Sequence, residues 1–245
     1  MARYACADLH GYYDVYEKIN EILQPGDTVE FLGDAIDRGP DSYKLMEAIF
    51  KNPQWNYYRG NHEAMLLQSL KEYLQSHDEY NMGLMMSIAN GASYRGQPTV
   101  FDLLLQKGEN EMRKWVHIIE NEMYLFSVFT NDKNYTIHLS HAGTSRPALE
   151  TYKDEADFLW DRIHIQQDVL PYYKRNISVH GHTPISCVKD ATANDGLSFY
   201  KKGKLDIDAG VFDTGIVYLV NLDTLAPDNI DYRIFKTSEE LYGTR

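Results

Sequence analysis

With 245 residues, 43% of them hydrophobic, the chain suits one large domain, or one domain with an insertion, and can bury a sizeable core. Its 24 Lys+Arg against 36 Asp+Glu give a formal net charge of −12. That argues against nucleic acid or an anionic membrane as the main partner and requires any phosphate site to be made positive locally.

The first section alternates strand, turn and helix. "RYACA" (3–7) reads as a strand and is followed by "DLHG"; "DVYEKINEIL" (14–23) places Val15, Ile19, Ile22 and Leu23 on one helical face. "PGD" (25–27) is a turn, "TVEFL" (28–32) a second strand, and "GDAIDRGP" follows it. Asp41 is placed to N-cap a helix over "SYKLMEAIF", with Leu45, Met46, Ile49 and Phe50 on one face. "QWNYY" (54–58) is a third strand, followed by "RGNHE" and a stretch carrying Met65, Leu66, Leu67 and Leu70. Short connections between strand and helix are the signature of βαβ units and a parallel sheet.

Residues 64–134 lean towards helix and are rich in Met, Leu and Tyr, with a loop at "NGASYRGQPT" (90–99). This region is expected to be a helical insertion or cap within a single domain spanning 1–245, its methionines filling core space. The last section returns to β, with candidate strands at 135–140, 176–181, 204–208, 215–223 and 231–236, and turns at "KKGK" (201–204) and "APDN" (226–229). The two cysteines, Cys6 and Cys187, form no Cys-x-x-Cys; Cys6 reads as a buried thiol in a strand. Neither a signal-peptide-like apolar run nor a stretch of membrane-spanning length occurs, so a soluble, cytoplasmic protein is expected.

Ligands of open parallel sheets bind beyond the carboxyl ends of the strands. Three successive strand ends carry Asp8 and His10; Asp34, Asp37 and Arg38; and Arg59, Asn61, His62 and Glu63. The intervals Asp8–Asp34 and Asp34–Asn61 are 26 and 27 residues, each one strand–helix unit, so these groups are expected to converge on one rim. Carboxylate, imidazole and amide oxygen, with no thiolate, suit divalent ions such as Mn²⁺, Fe²⁺ or Zn²⁺. Asp8 and His10 can chelate one ion from a single turn. A second ion needs more ligands, and His141 in "HLSHAG" and His182 in "SVHGHTP" stand just past later strands. Asp34, central and with two oxygens, is the natural bridge. Two divalent ions with Arg38 make the site positive within a negative protein. Such a pair clamps a phosphoryl group and acidifies a bridging water, which then serves as the nucleophile in place of Ser or Cys.

In their order, "DLHG", "GDAIDRGP", "RGNHE", "HAG" and "GHTP" resemble the calcineurin-like metallophosphoesterases, and within them the branch of serine/threonine phosphatases and symmetrical diadenosine tetraphosphate hydrolases. The resemblance runs from residue 8 to about 184. It implies an α/β fold, a β-sandwich flanked by helices, with a di-metal site at its edge. It implies Asp8, His10 and Asp34 on one metal ion, and Asp34, Asn61, His141 and His182 on the other, with manganese the leading metal. His62, paired with Asp37, would be the general acid, and Arg38 would hold the phosphate. "FLWDRIH" resembles the family's later "LW-x-R" segment, which suggests Arg162 as a second phosphate clamp; Arg146 competes for that role. Two features depart from the pattern: His182 is followed by Thr183-Pro184 where the wider superfamily has a second histidine, and "NGA" (90–92) only loosely matches the relatives' "NGG".

The remaining polar residues are read as structural. His180 and His138 alternate away from the site, and His164 is grouped with them; Arg59 hydrogen-bonds the loop, and Glu63 buttresses the site from outside. The expected activity is hydrolysis of a phosphomonoester, with a phosphorylated protein or peptide as the leading substrate. A dinucleoside polyphosphate or other nucleotide is the second reading, and a non-catalytic metal-binding interaction module the third.

Overall fold

The computed structural model describes residues 1–77, 96–143, 154–162, 175–188, 196–197, 199 and 203–238. Two sheets face each other. The first has the order β3-β2-β1-β8-β9, from Arg3–Cys6 (β1), Thr28–Phe31 (β2), Trp55–Tyr57 (β3), Ile216–Asn221 (β8) and Tyr232–Lys236 (β9). Strands β1, β2 and β3 run parallel; β8 and β9 return antiparallel. The second sheet, β4-β5-β6-β7, contains Phe126–Thr130 (β4), Thr136–Ser140 (β5), Asn176–His180 (β6) and Lys204–Asp206 (β7), with β5, β6 and β7 parallel.

Strand alternation divides the core in two. In β8, Val217 and Leu219 face the helices, while Ile216, Tyr218 and Val220 face the second sheet. Cys6 joins the helix-side core and its neighbours Ala5 and Ala7 the inter-sheet core, where they meet Ile137, Leu139, Ile177 and Val179. Burial pushes the Cys6 thiol far up, so it is an inert apolar filler.

On the outer face of the first sheet lie Tyr13–Ile22 (α1), Ser42–Lys51 (α2) and Asn61–Ser76 (α3). Val15 and Ile19 of α1, and Leu45, Met46 and Ile49 of α2, are buried as the periodicity predicts, whereas Ile22 and Phe50 are half-buried. Asp41 occupies the N-cap position of α2 without the expected side-chain cap. Its backbone works instead: its N–H donates to Gly11 O (2.9 Å) and its carbonyl accepts from Leu45 N (2.8 Å), tying the first loop to the second.

Of the stretch 64–134, residues 78–95, with most of the loop expected at 90–99, lie outside the described residues. Val100–Lys107 (α4) and Glu109–Asn121 (α5) are helices, and Thr99 caps α4 through a reciprocal pair of hydrogen bonds with Asp102. The stretch then closes with β4, an edge strand of the second sheet pairing with β5. Phe126 and Val128 of β4 face outward while Ser127 and Phe129 face inward, so apolar residues fall on both faces and give no alternation by which to read the strand. Among the described residues no helix is long and apolar enough to cross a membrane. The described residues also include three single turns, Ala156–Leu159 (α6), Ile185–Val188 (α7) and Val211–Thr214 (α8).

Candidate active site

The parallel strands of both sheets deliver their carboxyl ends to one edge of the sandwich. The loops there stay hydrogen-bonded past the strands: Asp8 N donates to Gly33 O (3.0 Å), His10 N to Asp34 O (2.9 Å) and Gly181 N to His141 O (2.8 Å). Nine described non-glycine residues have a positive φ, and six of them are Asp8, His10, Asp34, Asp37, Arg38 and His182. Left-handed backbone costs a branched or bulky side chain free energy, so its concentration here marks loops bent to aim side chains. Close approach also needs glycine: a Cβ on Gly60 would collide with the Asp34 carboxylate, and one on Gly181 with that of Asp8.

Asp34 lies at the centre. Its Oδ1 is 3.5 Å from Nε2 of His141; its Oδ2 is 3.8 Å from Nε2 of His10 and 3.7 Å from Nε2 of His62. Asn61 Oδ1 is 2.9 Å from Nε2 of His141 and 2.8 Å from Nδ1 of His182. The Asp8 carboxylate accepts from the His182 backbone N–H (3.1 and 3.3 Å). Behind Asp34, Glu63 accepts from the N–H groups of Asp34 (2.9 Å), Ala35 (2.8 Å) and Gly60 (2.8 Å), and so braces the loop that carries it.

Two groups of donor atoms result, each gathered within 4.8 Å: His10, Asp34 and His62, and Asp34, His141 and His182. Their chemistry suits two divalent ions sharing Asp34. Nδ1 of His10 bonds to Ile36 O (2.8 Å) and Nδ1 of His141 to Leu32 O (2.8 Å), which leaves each Nε2 with a lone pair facing the centre. Burial holds the His10, His141 and His182 imidazoles below their ordinary range, His182 at about 3, so they are neutral and able to ligate. Burial opposes ionisation of Asp34 too, but the imidazoles of His141, His62, His10 and His182 around it bring it below the usual carboxylate range. Asp8, buried beside Asp208 and Asp34, is raised well above it.

His62 differs from the other imidazoles. Its Nδ1 bonds to Asp37 Oδ2 (2.7 Å), and although burial opposes it, the Asp34 and Asp37 carboxylates raise it above an ordinary histidine. Among the four imidazoles around Asp34, it is the one that neighbouring carboxylates favour in the protonated form. Nη2 of Arg38 lies 3.4 Å from Nε2 of His62. The Arg38 guanidinium and the His62 imidazole therefore stand side by side at the rim, next to Asp34. Arg162 Nε reaches Nε2 of His182 (3.4 Å), and Trp160 stands edge-on to the same ring at 6.0 Å.

Glu63 braces the site as expected, whereas buried Arg59 pairs with Glu155 and donates to Glu120 O (3.0 Å) at the end of α5 instead of to its own loop. His180 is buried, with Nδ1 3.0 Å from Gly181 O, and His138 bonds Asn176 Oδ1 (2.8 Å). Arg146 and His164 lie outside the described residues. Sequence reasoning missed three contributors. Asp206 and Asp208 looked like the end of a strand, yet both are buried, and Asp208 is raised to about 7 by burial, with Asp34 nearby. Phe212 carried no chemical signal at all, yet its ring lies under the Arg38 guanidinium, 4.4 Å from its centroid.

The family model of the calcineurin-like phosphoesterases matches residues 1–207. A symmetrical bis(5'-nucleosyl)-tetraphosphatase from Legionella pneumophila (strain Lens) is 34% identical over 71 residues, 27% of this chain, and the match spans only 26% of that protein's length. A protein serine/threonine phosphatase from Saccharomyces cerevisiae shares the fold at a TM-score of 0.54 and 15% identity, over 98% of this chain and 81% of that one. A metallophosphoesterase from Sphaerobacter thermophilus does so at 0.54 and 14%, over 97% and 89%. With the family model covering both sheets through β7 and every strand end that contributes a side chain to the Asp34 cluster, the chain belongs to the calcineurin-like phosphoesterase family.

Proposed function

We propose that the protein hydrolyses phosphomonoesters with the help of two divalent ions, manganese foremost and iron or zinc as alternatives, and that its substrate is a phosphorylated serine or threonine in a protein. The observation that carries this reading is the Asp37–His62–Arg38 arrangement beside two donor groups that share Asp34. A metal store needs the ligands but has no use for a buried, carboxylate-oriented imidazole.

In this reading Asp8, His10 and Asp34 hold one ion, and Asp34, Asn61, His141 and His182 the other. When bound, the ions supply Lewis-acid charge to phosphoryl oxygens and lower the pKa of water. Arg38 and Arg162 hold the phosphate from two sides, and their charges oppose the protein's net negative field. Water attacks phosphorus in line with the ester oxygen; a new P–O bond forms as the ester P–O bond breaks, one water proton stays on the inorganic phosphate and the other passes to solvent. The departing alkoxide takes the proton at Nε2 of His62, and Asp37 keeps the ring turned for that transfer. A cavity of about 230 Å³, bounded by Asp37–Lys44, Gln97–Val100 and Leu103, opens beside Arg38 and leaves room for the leaving group.

A second reading, hydrolysis of a dinucleoside polyphosphate, is supported by the Legionella relative that bears that activity in its name. Side-by-side turnover of a phosphoserine peptide and of diadenosine tetraphosphate, in manganese buffer, separates them. At least tenfold preference for the peptide supports the first, the opposite preference replaces it with the second, and no turnover of either, or of p-nitrophenyl phosphate, removes both.

A further inference from the structure

Arg38 projects from a left-handed backbone position at the tip of a loop, and among the described residues it enters no ion pair with a carboxylate. A long, charged side chain in that situation samples many rotamers unless something restrains it. The Phe212 ring is that restraint. The Arg38 guanidinium carbon lies 4.4 Å from its centroid, and the same ring meets His10 edge-on at 5.9 Å, with 85° between planes. Phe212 is itself fixed. It sits in the single turn α8, bounded by the left-handed glycines Gly210 (φ 67°) and Gly215 (φ 68°). Gly210 N donates to Asp208 Oδ1 (2.7 Å), and Asp208 N donates to Asp206 Oδ1 (3.0 Å). This relay of buried carboxylates sets where the turn begins, and Val211 is buried beneath it.

We propose that Phe212 is a positioning residue for substrate phosphate: it holds the Arg38 guanidinium in place through its ring face. The proposal rests on the reading of Arg38 as a phosphate clamp. The physical advantage of an aromatic partner is specific. A carboxylate would hold the guanidinium equally well but would neutralise its charge and occupy its N–H donors. A ring face attracts the cation and leaves the in-plane donors free for phosphate. The edge contact with His10 also ties the clamp's location to a side chain beside Asp34, so phosphate and ions are placed by one rigid body.

The test compares Phe212→Leu, Phe212→Trp, Arg38→Ala and the double variant Phe212→Leu/Arg38→Ala. The readouts are KM and kcat for p-nitrophenyl phosphate, the competitive inhibition constant of inorganic phosphate, melting temperature and bound metal per chain. Phe212→Leu is expected to raise KM and the phosphate inhibition constant about tenfold, with kcat falling less. Phe212→Trp restores both constants, metal content is unchanged, and the leucine change adds nothing once Arg38 is alanine. If Arg38→Ala weakens phosphate binding while Phe212→Leu does not, or if tryptophan binds phosphate no better than leucine, the positioning role is wrong and the clamp stands. If Arg38→Ala leaves both constants at wild type, the clamp itself is wrong, and this inference falls with it.

Discussion

Nδ1 of His62 and Oδ2 of Asp37 lie 2.7 Å apart with both residues buried, and this contact leaves Nε2 as the nitrogen turned towards Asp34 and Arg38. Asp37 is two residues past Ala35 on the loop after β2, and His62 lies in the first turn of α3, so the pair joins two strand ends across the rim. In the proposed mechanism the bond keeps the ring protonated and turned.

The pair therefore predicts a leaving-group effect. His62→Asn is expected to lower kcat/KM on a phosphoserine peptide by about 10²–10⁴-fold, the range for one general acid. On p-nitrophenyl phosphate, whose leaving oxygen needs no proton, the loss is expected to stay within about tenfold. Asp37→Asn, which leaves the imidazole present but unanchored, falls between wild type and His62→Asn on the peptide. Equal losses on both substrates would remove His62 from the acid role.

Metal removal is the second prediction. The neutral imidazoles of His10, His141 and His182 converge with Asn61 on a carboxylate that serves both donor groups. Metal analysis is expected to find about two ions per chain in the wild type and none retained by Asp34→Asn after dialysis. Ligand bound at about a hundred times its dissociation constant stabilises a fold by about 2.7 kcal/mol per site, about 5.4 kcal/mol for two, so chelation should lower the melting temperature by about 10–20 °C and abolish turnover. Full activity in chelator would end the metal reading.

Much of this edge was legible in the chain because its chemistry sits at fixed points in a repeating unit. Asp8, Asp34 and Asn61 are one strand–helix unit apart, and each follows an apolar run, so register alone brings them together. His141 and His182 follow β5 and β6 in the same way. What could not be read depended on neighbours distant in sequence. Strand β4 shows exposed Phe126 and Val128, so its identity comes from pairing with β5 and not from its own pattern. Phe212 is an unremarkable aromatic until Arg38, 174 positions earlier, folds over it. Asp41 had the right type and place for a cap, but its backbone was recruited to hold Gly11.

Glu63 supplies the third prediction. Its two oxygens accept three backbone N–H groups, from Asp34, Ala35 and Gly60. Glutamine has the same size but replaces one acceptor with a donor, which would face an N–H in a fully buried site. Glu63→Gln is expected to cost about 2–4 kcal/mol in urea unfolding, from the lost bonds and the buried donors left facing each other. Because the braced loop carries Asp34, ion affinity should weaken in the same variant. Wild-type stability and ion affinity together would show that the loop holds its shape without the brace.

The last prediction concerns pH and lies away from the reaction. Glu30 on β2 is buried between the sheets, where it accepts from Tyr58 Oη (3.1 Å) and Asn56 Nδ2 (3.1 Å) and lies 3.7 Å from Nε of Arg3. Burial raises its pKa above the ordinary 4.5, against the lowering effect of those hydrogen bonds. The folded chain therefore binds this proton more tightly than the unfolded chain does. The resulting stability is fully present below about pH 4.5 and is lost as pH rises through the folded-state value. Glu30→Gln cannot ionise and retains an acceptor for Asn56, so it escapes that loss. Measured against wild type from pH 4.5 to 8, the variant's melting temperature is expected to gain as pH rises and then level off once Glu30 is ionised in both states. Parallel curves across that range would mean that the Glu30 carboxylate costs the fold nothing on ionising, and that Arg3 and the two hydrogen-bond donors compensate for its burial in full.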